Sequence, residues 1–370
     1  MKDEKKRIII YPFSEQSIAF VKYLERFNSL MTVQRIATEG GLFSIGYDAS
    51  EIDHRQQKIG HVVEQYTDAQ LDGCDVLVIP SLDVSDKLLY KKITDAIRNA
   101  LSRSMEVYCG VILHDKEVNE FSISNCDKFS YLPSSLVSEE KEDDWLMVKP
   151  FYEPNAVVIF VGTVCIQDHV RESAFAIIDG LRRCGYRTTG IIQSCESALL
   201  GLHSMPSSLD FSKGVTADWI KKFNEFIREI DETEKPEVII IELPGILHRY
   251  DDFIVGDYGL LPFAITQAVS PDFLHVCLPF DMCSPGLVTE LSKICEGKFC
   301  HGIDSVHVSN VLKHGMESSS MMRYTHTHIN SSHVRDLLNS FGTDMTIPMF
   351  DITGDEDVDS LCSFIIQKLS

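Results

Sequence analysis

The sequence predicts an α/β protein with two open, mainly parallel sheets. Three observations predict it. Short β-branched runs alternate with amphipathic helical segments through both halves of the chain, the pattern of βαβ units around a parallel sheet. Its 370 residues suffice for two domains, or three, at about 150 residues each. Apolar residues make up 44% and charged residues 24%, an ordinary globular composition able to bury a core without disulfides or a structural metal.

The first half reads as a Rossmann-like domain over residues 1–115. Ile8–Tyr11 is a short strand stopped by Pro12. Ser14 then caps a helix whose apolar residues Ile18, Val21 and Leu24 recur at helical spacing. Thr32–Ala37 is a second strand, broken by Thr38-Glu39-Gly40-Gly41. Cys74–Pro80 reads as a buried strand, Leu89, Ile93, Ile97 and Leu101 as one helix face, and Glu106–Leu113 as a further strand. The pattern stops over residues 116–155, where the acidic run Glu139–Asp144 suggests a linker with an edge hairpin and a domain boundary near 150.

The second half, residues 156–370, restarts with the strand Ala156–Val161. Val170, Ala174, Ile177, Ile178 and Leu181 form a helix face closed by Cys184-Gly185. Tyr186–Ile192 is a strand, Trp219, Phe223, Phe226 and Ile230 a helix face, and Pro236–Ile241 a buried strand. Phe273–Leu278 follows, then a helix capped by Ser284-Pro285. Thr346–Phe350 as a strand and Val358, Leu361, Ile365 and Leu369 as a final helix close the chain.

Charge narrows the partners. There are 34 Lys and Arg against 55 Asp and Glu, a net charge of −21. Such a chain is a poor binder of nucleic acid or anionic membrane and suits a cationic peptide. The N-terminal apolar stretch is too short for a signal-peptide core, and no apolar run reaches membrane-span length. The expected location is the cytoplasm, with the eleven cysteines mostly reduced.

The junction Val161-Gly162-Thr163-Val164-Cys165-Ile166-Gln167-Asp168 carries a strand through a glycine turn to a helix N-terminus, the setting of a phosphate cradle. A P-loop requires G-x-x-x-x-G-K-[ST]. Counting from Gly162, Gln167, Asp168 and His169 replace its second Gly, its Lys and its hydroxyl. The second domain therefore reads as P-loop-like without a Walker A motif and without an ordinary ATP or GTP site. Gly162, Thr163, Cys165 and Asp168 are the candidate cofactor-binding residues of this turn. Glu242, Pro244 and Gly245 join them, because a carboxylate closing a buried strand holds Mg²⁺ through water in P-loop proteins, or else caps a strand end. Cys195, Glu196 and His203 follow another strand end and offer a thiol, a carboxylate and an imidazole. They form an activated nucleophile if they meet at hydrogen-bond reach, and are structural side chains if they do not. Among Cys295, Cys300, His301, His307, His314, His326, His328 and His333, the pair His328-x₄-His333 fits metal-ligand spacing loosely and His307-x₆-His314 does not, so these histidines read as surface or loop groups rather than a metal site.

Several ordered segments resemble the peptide maturation system protein family. They are the Gly162–Asp168 turn, Cys184-Gly185-Tyr186, Cys195-Glu196 and Gly201–Pro206. They continue with Asn224–Ile227, Lys235–Gly245, Tyr258-Gly259-Leu260 and Gln267–Asp272. Ile10–Phe13 and Gly46–Ser50 fit more weakly. The resemblance implies an accessory role in maturing a ribosomally made, Cys-rich, bacteriocin-like peptide. The partners it implies are the precursor peptide or a radical SAM maturase, with a homodimer left open. It supplies no reaction and no known cofactor, so whether the chain is an enzyme stays open. The alternative is a small-molecule or nucleotide-dependent enzyme using a cleft between the domains, with Cys195, His203 and Glu242 as participants.

Overall fold

A computed structural model describes residues 5–40, 45–53, 57–82, 84–125, 127–132, 150–165, 169–206, 216–249, 257–318, 321–341 and 345–370. The chain divides into two compact units, one of residues 1–138 with 194–208 and one of residues 139–193 with 209–370. Among the described residues no helix is long and apolar enough to cross a membrane.

In the first unit, β1 (Lys6–Ile10), α1 (Ile18–Phe27), β2 (Met31–Thr38), β3 (Val63–Gln65), β4 (Val76–Ile79), α2 (Lys87–Ser102), β5 (Glu106–Cys109), α3 (Asp115–Ser124) and β6 (Phe129–Tyr131) succeed one another. The strands lie in the order β3-β2-β1-β4-β5-β6, all parallel. This is the doubly wound Rossmann order, with its switch point between β1 and β4. Ile8, Ile9 and Ile10 are wholly buried, as are all four residues of β4, because a parallel sheet is covered on both faces. Ile93 and Ile97 of α2 pack with Leu77, Ile79 and Val107 in one apolar core.

Part of the segment expected as linker and hairpin is corrected. Residues 115–131 supply α3 and a sixth strand, β6, that runs parallel to β5. Phe121 and Phe129 bury their rings against each other, 5.3 Å between centroids, which ties helix and strand to the core. A strand of three residues is too short to show alternation in sequence. The acidic run 139–144 lies outside the described residues.

The second unit begins with β7 (Val157–Thr163), α4 (Val170–Arg183) and β8 (Thr188–Ile192). The chain then gives the two-residue strand β9 (His203–Ser204) to the first unit. It continues with α5 (Ala217–Glu234), β10 (Val238–Glu242), α6 (Leu260–Ala268), β11 (Phe273–Leu278), α7 (Pro285–Phe299) and β12 (Ser305–Val308). The hairpin β13 (Val311–Ser318) and β14 (Met321–His328) follows, then α8 (Ser331–Phe341), β15 (Met349–Phe350) and α9 (Asp355–Leu369). The unit's own strands run β15-β12-β11-β7-β10-β8, all parallel. Its first strand in sequence is thus central, flanked by β10 and β11.

Local chemistry sets the helix ends. Ser284 Oγ accepts the Leu287 N–H at 3.3 Å with Pro285 in the first helical turn. Gly185, at φ +92°, closes α4 while its N–H reaches the Arg182 carbonyl at 3.0 Å. Gly180 brings α4 against α9, since a Cβ there would stand 2.4 Å from Cys362 Sγ.

Asn224 and Asp272 are structural clasps. Asn224 of α5 accepts the Tyr152 N–H at 2.8 Å and donates to the carbonyls of Tyr152 and Ala268. Asp272 accepts the Val158 N–H at 2.8 Å and anchors the start of the central strand.

Candidate functional sites

Both regions singled out by sequence lie at C-terminal strand ends, the edge where open α/β sheets receive ligands. In the first unit, Ser81 stands two residues beyond β4 and Gly110 directly follows β5. The short 3₁₀ helix Cys195–Leu200 belongs to this unit. Cys195 Sγ lies 2.9 Å from Ser81 Oγ and donates to the Gly110 carbonyl at 3.6 Å. Glu196, buried, accepts the Ser81 hydroxyl at 2.6 Å and the Ser81 N–H at 3.2 Å through the same oxygen. Gly110 admits this packing because a Cβ would come 2.8 Å from Ser81 N and 3.0 Å from Cys195 Sγ.

Burial, reinforced by the Glu196 carboxylate beside it, pushes the Cys195 thiol up to about 12. The sulfur is therefore a neutral thiol at neutral pH, not the thiolate that nucleophilic catalysis uses. Among the described residues its hydrogen-bond partners are Ser81, Gly110 and Glu196. His203, on β9, is not one of them, so the Cys–His pair considered from sequence does not form in this structure. Ser81 was not singled out from sequence, since no local pattern links residue 81 to a turn 114 positions later.

In the second unit, β7 extends through Thr163, so Gly162 and Thr163 lie within the strand rather than in a turn after it. The absent side chain of Gly162 leaves room for packing, since a Cβ there would meet Leu247 Cδ2 at 3.0 Å and Leu243 Cδ1 at 3.2 Å. The Thr163 hydroxyl accepts the Cys165 N–H at 2.9 Å and lies 3.1 Å from the Cys277 carbonyl. Asp168 lies outside the described residues.

Glu242 ends β10 and is buried. Its carboxylate accepts the Gln193 N–H at 3.1 Å and faces Arg171 Nε at 3.6 Å. Pro244 and Gly245 turn the chain just after it; Gly245 holds φ +69° with the Asp257 carboxylate against it. Leu247 N–H then bonds the Thr163 carbonyl at 2.7 Å, returning the chain to β7. Two basic groups missed from sequence meet these residues. Arg171 of α4 faces Glu242, and Lys313 of β13 donates to Cys165 Sγ. The sequence carries no signal for the second, because the contact spans 148 positions.

The late histidines are not all surface groups. His307 is wholly buried, and its ring stacks 5.7 Å from that of His169, which in turn stacks 6.2 Å from His328. His275 is wholly buried as well, 2.7 Å from Ser305 Oγ, and burial lowers it to about 3. Alternation on β12 places Ser305 and His307 on one face, opposite His275 and Cys277 of β11. His301 pairs with Asp304 at 2.7 Å.

No protein-family model matches the chain. No curated protein sequence matches it. Among solved structures it is similar to a DUF1611 family protein from Anabaena variabilis, with a TM-score of 0.63 and 12% identity over 98% of this chain and 100% of that one. At that identity the likeness is one of fold. A second similarity, to the signal recognition particle 54 kDa protein of Aeropyrum pernix in complex with GDP, has a TM-score of 0.29 at 14% identity, over 76% of this chain and 62% of that one, and carries no argument. The class defined is a two-unit α/β protein with a Rossmann-like sheet and a P-loop-like sheet lacking a Walker A motif.

Proposed function

We propose that this chain is an accessory protein in the maturation of a ribosomally made, Cys-rich peptide, acting by binding the precursor or its radical SAM maturase. The pathway rests on the ordered motifs between residues 162 and 272 and on a net charge of −21, which suits a cationic peptide. The geometric observation that carries a binding rather than a nucleophilic role is Cys195, a neutral thiol held by Ser81 and Gly110. Co-purification of the tagged chain with the precursor and the maturase tests the reading. Recovery of at least one partner supports it, and recovery of neither overturns it.

One observation favours a second reading, a nucleotide-dependent protein. Lys313 brings an ammonium to Cys165, beside the turn whose own lysine position holds Asp168. Calorimetry with ATP and GTP tests this, with Lys313→Ala expected to abolish any heat. Absence of heat with either nucleotide removes it.

A further inference from the structure

The first unit carries a cleft that none of the site residues expected from sequence lines. It is an open cavity of about 620 Å³, within the range of small-molecule sites. It lies at the C-terminal edge of the sheet. Tyr11 follows β1, Glu39 follows β2, Tyr66 and Asp68 follow β3, and α2 adds Lys92 and Asp95.

Glu39 is the organising group. One of its oxygens accepts the Tyr11 hydroxyl and the other accepts Lys92 Nζ. Tyr11 is wholly buried, so the carboxylate is held from below in a fixed position. Each carboxylate oxygen has two acceptor directions, which leaves one on each for a ligand. Tyr66 stacks on Tyr11, 3.9 Å between ring centroids, and its buried hydroxyl meets no hydrogen-bond partner among the described residues. Gly40 completes the wall, since a Cβ there would stand 2.8 Å from Gln65 Nε2.

Position gives the ligand class. A carboxylate just beyond β2 in this strand order is where doubly wound folds receive the hydroxyls of a ribose. The phosphate half of such a site is replaced. The turn after β1 reads Tyr11-Pro12-Phe13-Ser14-Glu15-Gln16, with no glycine for close backbone approach and with Glu15 in the first turn of the helix that follows. A carboxylate at that point repels phosphate. Around the cleft the carboxylates of Glu39, Asp68 and Asp95 outnumber the cations of Lys92 and Arg98.

The geometry points to a binding site for a neutral or cationic ribonucleoside that carries no phosphate, with Glu39 receiving its 2′- and 3′-hydroxyls. This site is independent of the peptide-maturation reading. Titration calorimetry on the intact chain with adenosine, guanosine, cytidine and uridine tests it, together with their 2′-deoxy forms and 5′-monophosphates. At least one ribonucleoside is expected to bind, with its 2′-deoxy form weaker by at least about tenfold, because a site built to bond a hydroxyl rejects the analogue lacking it. The monophosphate is expected to bind more weakly than the nucleoside, and Glu39→Gln to lose at least about tenfold in affinity. Because Glu39→Gln also disturbs Tyr11 and Lys92, the deoxy comparison on the unaltered chain decides. No binding at millimolar ribonucleoside, equal binding of the deoxy form, or tighter binding of the monophosphate overturns the assignment.

Discussion

The Ser81 hydroxyl donates to Glu196 Oε2 at 2.6 Å, across 115 positions of sequence. The same oxygen takes the Ser81 N–H, so one buried carboxylate closes the turn after β4 and fixes the turn that carries Cys195. Glu196→Ala leaves two donors without an acceptor. It is expected to destabilise the first unit by about 1–3 kcal/mol, read as a lower urea midpoint at unchanged slope. Glu196→Gln keeps a carbonyl acceptor and should recover part of the loss; equal destabilisation by both variants would discount the hydrogen bonds.

Cys195 is expected to alkylate more slowly than the exposed Cys184 and Cys300. With its thiol near 12, the thiolate fraction at pH 8 is on the order of 10⁻⁴. Peptide mapping after timed iodoacetamide treatment reads the rates. Labelling of Cys195 ahead of both exposed cysteines would contradict a neutral, held thiol and revive nucleophilic chemistry at this site.

Alkaline pH should weaken the fold. Burial pushes Cys109, Cys195, Cys295 and Cys362 each up to about 12, from an ordinary value of 9.0. Between those values the folded chain keeps protons that the unfolded chain releases, so stability is full below pH 9 and falls as pH rises from 9 to 12. The slope is at most about 1.4 kcal/mol per pH unit for each thiol. Thermal melts from pH 8 to 11 check this, and the decline should be shallower in Cys362→Ala.

His275 sets the opposite limb. Burial holds it neutral down to about 3, whereas an unfolded imidazole charges near 6.5. The unfolded state therefore binds the extra proton in that window. The stability His275 contributes is present above pH 6.5 and is lost as pH falls towards 3. His275→Leu should flatten the loss between pH 6 and 4, by about 1.4 kcal/mol per pH unit at most. An unchanged slope in denaturant titrations would show that other groups dominate acid unfolding.

The contact of Gly180 with Cys362 predicts a coupled pair. Gly180→Ala forces a methyl to 2.4 Å from Sγ and should cost about 1–3 kcal/mol through overpacking of α4 on α9. Cys362→Ala removes the obstructing sulfur, so the double variant should be more stable than the sum of the single effects implies. A double-mutant cycle that is additive within about 0.5 kcal/mol would exclude the clash.

The fold class was legible because buried parallel strands leave unbroken apolar runs. Ile8–Ile10, Val76–Ile79 and Ile239–Ile241 declare themselves, and so do the helix faces Ile93–Ile97 and Ile177–Leu181. The brief strands β3, β6 and β12 did not, because three or four residues hold at most two full alternations. Gly162 was misplaced because a glycine near a strand end looks like a turn until its packing neighbours, Leu243 and Leu247, are known.

The sequence by itself determined two parallel sheets, the loss of the Walker A residues and the acidic balance, since each is a property of local pattern or composition. Only the tertiary structure decided which distant groups share a site. It gave residues 194–208 to the first unit, where Cys195 meets Ser81 rather than His203, and it set Glu242 against Arg171 and Lys313 against Cys165. It also gathered Tyr11, Glu39, Tyr66 and Lys92 around one cleft. The reason is physical: burial follows local periodicity, whereas partnership between polar groups follows strand order, which sets residues far apart in the chain side by side at one sheet edge.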